Sequence, residues 1–123
     1  MNAKQLLQPR YEVIADYPNS QHLLGVGEII EPHPNGYFNY IHFPSYPHIF
    51  RKLEWFEKRK VEDMPQYVKY IGEKTYILIA ERYSGVDNEY VKTVDEIGRT
   101  ATLFTKDFTP STETEYLQFK NKL

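Results

Sequence analysis

The stretch Tyr67-Val68-Lys69-Tyr70-Ile71-Gly72-Glu73-Lys74-Thr75-Tyr76-Ile77-Leu78-Ile79-Ala80 decides the fold class. Two runs of β-branched and aromatic residues flank Gly72-Glu73-Lys74, a pattern that predicts an antiparallel hairpin. In the second run both alternating sets of side chains are apolar, so this strand is expected at the centre of a sheet, covered on both faces. The phrase has an earlier counterpart running from Tyr11-Glu12-Val13-Ile14 to Gly27-Glu28-Ile29-Ile30. Aligning Gly27 with Gly72 puts a tyrosine-led strand before each glycine and an aliphatic strand after it. Two copies are too few for a solenoid, so the expectation is small antiparallel β-modules.

Working outward, residues 11–15 read as a half-buried strand stopped by Asp16-Tyr17-Pro18-Asn19-Ser20. Residues 23–31 resume an extended pattern, with Gly25 and Gly27 marking a bend where a sheet curls. Asn35-Gly36 is a hairpin signal, and residues 37–43 alternate as a third strand, which makes the first part a three-stranded meander. Tyr46, Ile49, Phe50, Leu53 and Phe56 then fall at the spacing of one helical face, so residues 46–60 are expected to form an amphipathic helix. Ser45 would cap it, with Pro47 in its first turn and Lys58-Arg59-Lys60 at its C-terminal end. Glu62-Asp63-Met64-Pro65 would break it. Beyond the 67–83 hairpin, strands are expected at 89–94 and 100–105 around turns at 84–88 and 95–98. Thr112-Glu113-Thr114-Glu115 reads as a capping box for a short C-terminal helix bearing Tyr116, Leu117 and Phe119.

The composition is that of a globular chain with an unusual aromatic load of 15%, which suits sheets with one wet face. A net charge of −2 offers no global cationic field for nucleic acid or anionic lipid. With no cysteine there is no disulfide framework, thiolate site or cysteine nucleophile. The opening residues lack the apolar core of a signal peptide, and no window approaches the length of a membrane span.

No residue pattern points to a reaction. His22, His33, His42 and His48 are not spaced as ligand pairs, although a zinc site completed by Glu28 or Glu31 is conceivable. Ser20, Ser45, Ser84 and Ser111 sit in turn or cap contexts, and the pairs Glu62-Asp63 and Asp95-Glu96 lie in turns where carboxylates are solvated. Gly25-x-Gly27 lacks the rest of a dinucleotide loop, so no cofactor and no metal are expected. What remains is the stretch 46–60, with five basic and two acidic residues. Its candidate binding residues are Arg51, Lys52, Trp55, Lys58, Arg59 and Lys60. Trp55 lies one position off the apolar stripe, as its edge or as an exposed anchor. Basic groups beside exposed aromatics can hold single-stranded nucleic acid; the plainer alternative is an amphipathic helix with a solvated outer face.

The second half, from Tyr67-Val68-Lys69-Tyr70-Ile71 through Asp95-Glu96-Ile97-Gly98 to Phe104 and Phe108, resembles small SH3-like barrel modules encoded by bacteriophages. The first half is similar to uncharacterised phage and mobile-element proteins sharing Tyr-x-Val-Ile-x-x-Tyr-Pro-x-Ser, matched by residues 11–20, and Val-Gly-acid-Ile-Ile, matched by residues 26–30. The resemblance implies a fold and a genomic setting and carries over no catalytic residue. The expected class is therefore α+β, mainly antiparallel β: one or two small SH3-like curled sheets or barrels with a central amphipathic helix and a short C-terminal helix. Residues 1–64 would form a β-meander plus helix and residues 65–123 a small barrel-like module, separately or as one compact domain. The expected function is a non-enzymatic interaction module in the cytoplasm of a bacterial host cell. It would contact a protein partner, with single-stranded nucleic acid as the alternative ligand, no membrane, and self-association left open.

Overall fold

In the computed structural model, which describes residues 2–16 and 25–123, strand β1 (Tyr11–Val13) is paired antiparallel on both sides. On one side lies β2 (Ile29–Ile30), with Tyr11 opposite Ile30, and on the other a strand from the stretch expected to be helical. The first copy of the repeated phrase thus builds a strand pair, as its pattern predicts. Gly27, at φ 95°, makes the turn that leads into β2 and donates its N–H to the Val13 carbonyl at 2.7 Å. The rest of the turn expected at 16–20 and the start of the strand expected at 23–31 lie outside the described residues. Residues 37–43 do not form one strand. They fold into a miniature hairpin of β3 (Tyr37–Phe38) and β4 (Ile41–His42), turned by Asn39 and Tyr40 at φ 49° and 64°.

The helix expected over residues 46–60 is absent. Ile49 and Phe50 both donate their N–H to the Tyr46 carbonyl at 3.0 Å, which completes a single turn. The chain then enters β5 (Phe50–Lys52), setting Val13 opposite Phe50 and Glu12 opposite Arg51. Spacing of three and four is satisfied equally by a turn followed by a strand, and the strand alternative supplies ladder partners for the second edge of β1. Ser45, expected to cap the helix, instead shares a 2.6 Å hydrogen bond with His42 Nδ1 at the end of a 3₁₀ turn (Phe43–Ser45). Lys58, at φ 53°, is incompatible with a helix interior.

Two compact units result. One spans residues 8–55; the other takes residues 56–123 together with the N-terminal segment through Leu7. The core of the first is aromatic. Phe43 and Phe50 stack at 3.9 Å and 7°, Tyr11 meets Phe43 edge-on at 5.6 Å, and Val13, Ile41 and Ile49 are buried around them.

The second unit opens with α1 (Ala3–Leu6), a single turn closed by reciprocal hydrogen bonds between Asn2 and Gln5, which buries Leu6. Its sheet contains β6 (Tyr67–Tyr70), β7 (Tyr76–Ser84), β8 (Tyr90–Val94), β9 (Thr100–Phe104) and β10 (Phe108–Ser111), in the order β10-β6-β7-β8-β9, all antiparallel. The long apolar strand is central, as expected, but it is not covered on both faces: only Ile77 is buried, while Leu78, Ile79 and Ala80 are half-buried and Tyr76 is exposed. A bulge between Ala80 and Arg82 shifts its register against β8 and adds twist. The core cluster of Val68, Val91 and Phe108 lies on one face. Helix α2 (Glu113–Asn121) packs against β7, its first turn capped by Thr112 Oγ1 accepting from Glu115 N at 3.2 Å. Among the described residues the protein is thus mainly antiparallel β with two short helices. The expectation of a closed barrel is corrected: no ladder joins β9 to β10, so the sheet is open, with those strands as its edges.

Candidate functional site

β5 carries Arg51 and Lys52 at the edge of the β2-β1-β5 sheet. Arg51 is fixed by the strand register. Its guanidinium reaches Glu12 Oε1, directly across the ladder, at 3.3 Å, and its side chain remains 42% exposed. Such a partly solvated pair is worth about 0–1 kcal/mol, so it orients the arginine more than it stabilises the sheet. Lys52, next along the strand, is exposed. Both line a concavity of about 400 Å³ together with the exposed Pro44 and Pro47 and with Tyr11, Phe43 and Phe50, whose rings belong to the buried core. Proline rings and aromatic rims give rigid apolar surface at low entropic cost.

The other expected site residues do not join one helix face. Trp55 is half-buried after β5, and its carbonyl accepts from Arg10 Nη2 at 3.3 Å. The same guanidinium donates to the Glu54 carbonyl at 3.0 Å, so the buried Arg10 fixes the backbone beneath Trp55. Lys58, Arg59 and Lys60 belong to the 56–123 unit. There Arg59 Nη2 donates to the Leu6 carbonyl at 3.1 Å, while the Arg59 carbonyl accepts from Asn88 Nδ2 at 2.9 Å. These contacts give Arg59 a structural task. Lys58 and Lys60 are exposed.

Of the six candidate binding residues, Arg51 and Lys52 are the two that line this concavity. The sequence pattern sets the other lining residues apart: Tyr11 and Phe43 in separate strands, Phe50 on a helical stripe and Pro47 in that helix's first turn. The available signal was the pair of prolines three apart beside aromatic residues.

A second concavity, about 280 Å³, lies in the 56–123 unit over Leu78, Thr93, Ala101 and Leu103. Two of the charged groups that line it, Asp95 and Arg99, satisfy each other. Asp95 accepts from the N–H groups of Ile97 and Arg99 at 3.1 and 2.9 Å, and from Arg99 Nε at 2.9 Å. Desolvation works to raise the Asp95 carboxyl, but the Arg99 and Ile97 hydrogen bonds and the Arg99 charge outweigh it and hold the group below its ordinary value. Tyr83 is the other perturbed group: burial raises its hydroxyl well above the usual tyrosine range, and it donates to the Pro65 carbonyl at 2.6 Å. It is bonded as a structural tyrosine.

Among the described residues no group of three or more His, Asp or Glu side chains converges as a metal site, and His22 lies outside them. His42 packs on Tyr37 at 4.8 Å, and His48 lies 6.2 Å from the Tyr46 ring. Among the same residues, no helix is long and apolar enough to cross a membrane. Comparison with protein-family models, with curated proteins and with solved structures gives no match.

Proposed function

We propose that the protein is a non-enzymatic interaction module that captures an acidic, apolar segment of a protein partner at the concavity beside β5. The observation that carries this reading is that Arg51 and Lys52 line one concavity with the exposed Pro44 and Pro47 over the aromatic core. A rigid apolar depression provides the buried anchor of an interface, while rim cations choose the sign of the partner and speed its approach. The 56–123 unit, in this reading, is an SH3-like small-barrel module left open between β9 and β10. Support comes from β10 returning across the sheet to β6 and from the bulge that curls β7. A phage or mobile-element setting, and with it a bacterial cytoplasm, rests on the resemblance of residues 11–20 and 26–30.

Selection from a displayed random-peptide library, followed by titration of the enriched peptides, tests the proposal. Enriched sequences are expected to carry Asp or Glu beside a large apolar residue. Lys52→Glu should weaken their binding about tenfold or more, since a favourable charge contact becomes a repulsive one. Binding unchanged by Lys52→Glu, or enrichment without an acidic class, would remove the proposal.

A further inference from the structure

The two edges of the five-stranded sheet differ in how they are guarded. β10 contains Pro110, is largely buried, and has α1 lying against it. These are the usual devices that keep an edge from pairing. β9, Thr100-Ala101-Thr102-Leu103-Phe104, has no charge, no proline and no bulge, and all five of its residues are exposed.

The phase of the β8–β9 ladder fixes which backbone groups of β9 point outward. Asp95 N donates to the Arg99 carbonyl and Thr105 N to the Glu89 carbonyl, both at 2.9 Å. Hydrogen-bonded pairs alternate along an antiparallel ladder. Ala101 and Leu103 therefore turn their N–H and C=O groups to β8, while Thr100, Thr102 and Phe104 turn theirs away from it. We infer that β9 pairs with β9 of a second copy, antiparallel about a two-fold axis at Thr102.

In that register Thr102 exchanges both backbone bonds with its own copy, and Thr100 does so with the partner's Phe104. Every outward group of the strand meets an outward group. A shift by one residue would set outward groups against groups already bonded to β8. The side chains agree with the same axis. Phe104 faces the partner's Thr100 on one side of the sheet and Leu103 faces the partner's Ala101 on the other, large against small at each position. No charged residue lies on the strand to repel its copy. An isologous contact of this kind closes at two copies. The pairing uses the 56–123 unit alone, so it stands or falls separately from the concavity beside β5.

Sedimentation velocity over a wide concentration range tests it on the full chain. A monomer–dimer equilibrium is expected, with slowed amide exchange at Thr100, Thr102 and Phe104 as concentration rises. Thr102→Pro removes the outward donor without touching the β8 ladder, and Thr102→Lys sets two like charges on the axis. Each should raise the dimer dissociation constant about tenfold or more, while Thr102→Val should not. If Thr102→Pro fails to fold, Thr102→Lys gives the same reading. A monomer at every concentration, a dimer indifferent to Thr102→Lys, or a series of higher oligomers would each overturn the inference.

Discussion

The two copies of the strand-glycine-strand phrase build sheets of very different quality. In the 8–55 unit β1 matches two residues of β2 and three of β5. In the 56–123 unit every neighbouring pair of strands is registered over four or five residues. The first unit instead gathers aromatic rings, with Phe43 in contact with Tyr11, Phe38 and Phe50 at once. Short ladders leave side-chain packing to define the fold, whereas long ladders let backbone pairing define it and the core follow. The glycines show the same division. Gly27 is a turn residue in the left-handed region, while Gly72, which has no positive φ, lies against the Tyr70 ring, where a Cβ would come within 2.6 Å of Cε1.

If the first unit rests on its rings, deleting the central one should be the most damaging single change in the molecule. Phe43 is fully buried and stacked, and Phe43→Ala is expected to cost about 3–5 kcal/mol. The loss should concentrate in residues 8–55. Native-state amide exchange would locate it: Val13 and Ile14 should lose protection, while Val68 and Val91 in the long ladder keep theirs. Equal loss in both places would mean that the chain opens as one cooperative body and that the contrast between the units has no energetic meaning.

The same contrast explains what the sequence made legible. The 67–84 hairpin, the turn at 95–98 and the C-terminal helix could be read because their signals are local and long. Period-two runs extend over several residues, Gly98 supplies the φ of 84° that its turn requires, and Thr112 caps from the expected position. The short ladders of residues 29–52 offer no such run. Tyr40 sits at φ 64° in a hairpin that neither glycine nor proline announces. The stripe at residues 46–56 satisfied helical spacing because it buries Ile49, Phe50, Leu53 and Phe56, and burial alone does not reveal whether a turn and a strand or a helix performs it. Of the candidate site, the cations were legible because charge is local. The concavity was not, since Tyr11 reaches it from a strand distant in sequence.

A smaller effect probes how the long-ladder unit holds a segment that has no ladder. Residues 56–59 are held by Asn88, a buried residue in the left-handed region whose Nδ2 donates to the Phe56 and Arg59 carbonyls at 3.3 and 2.9 Å. Asn88→Ala removes both bonds and adds the cost of φ 65° on a residue without a compensating side chain. About 1–3 kcal/mol should be lost in denaturant unfolding. Asn88→Gly, which relieves the backbone but restores no donor, should recover only part of it. Full recovery by glycine would show that backbone conformation, not the two hydrogen bonds, is what Asn88 supplies.

The smallest expected effect concerns the turn that joins β8 to the unguarded β9. Asp95 has its carboxyl held below its ordinary value of 3.8 by the Arg99 and Ile97 contacts. The folded state therefore prefers the ionised carboxylate more than the unfolded chain does. That contribution is fully present above about pH 4 and is lost as pH falls through the lower folded value. On acidification below pH 4 the 95–99 turn should loosen first, read as faster exchange of the Ile97 and Arg99 amides bonded to the carboxylate. Asp95→Asn, which keeps the acceptor oxygen but does not titrate, should remove the acid-dependent part of that change while leaving a small constant loss. Because Thr100 and Ala101 follow directly, loosening this turn frees one end of β9. The monomer–dimer equilibrium should therefore shift toward monomer over the same acid range in the natural chain and stay flat in the Asp95→Asn variant. An acid shift of equal size in that variant would place the sensitivity elsewhere and detach the turn from the edge it leads into.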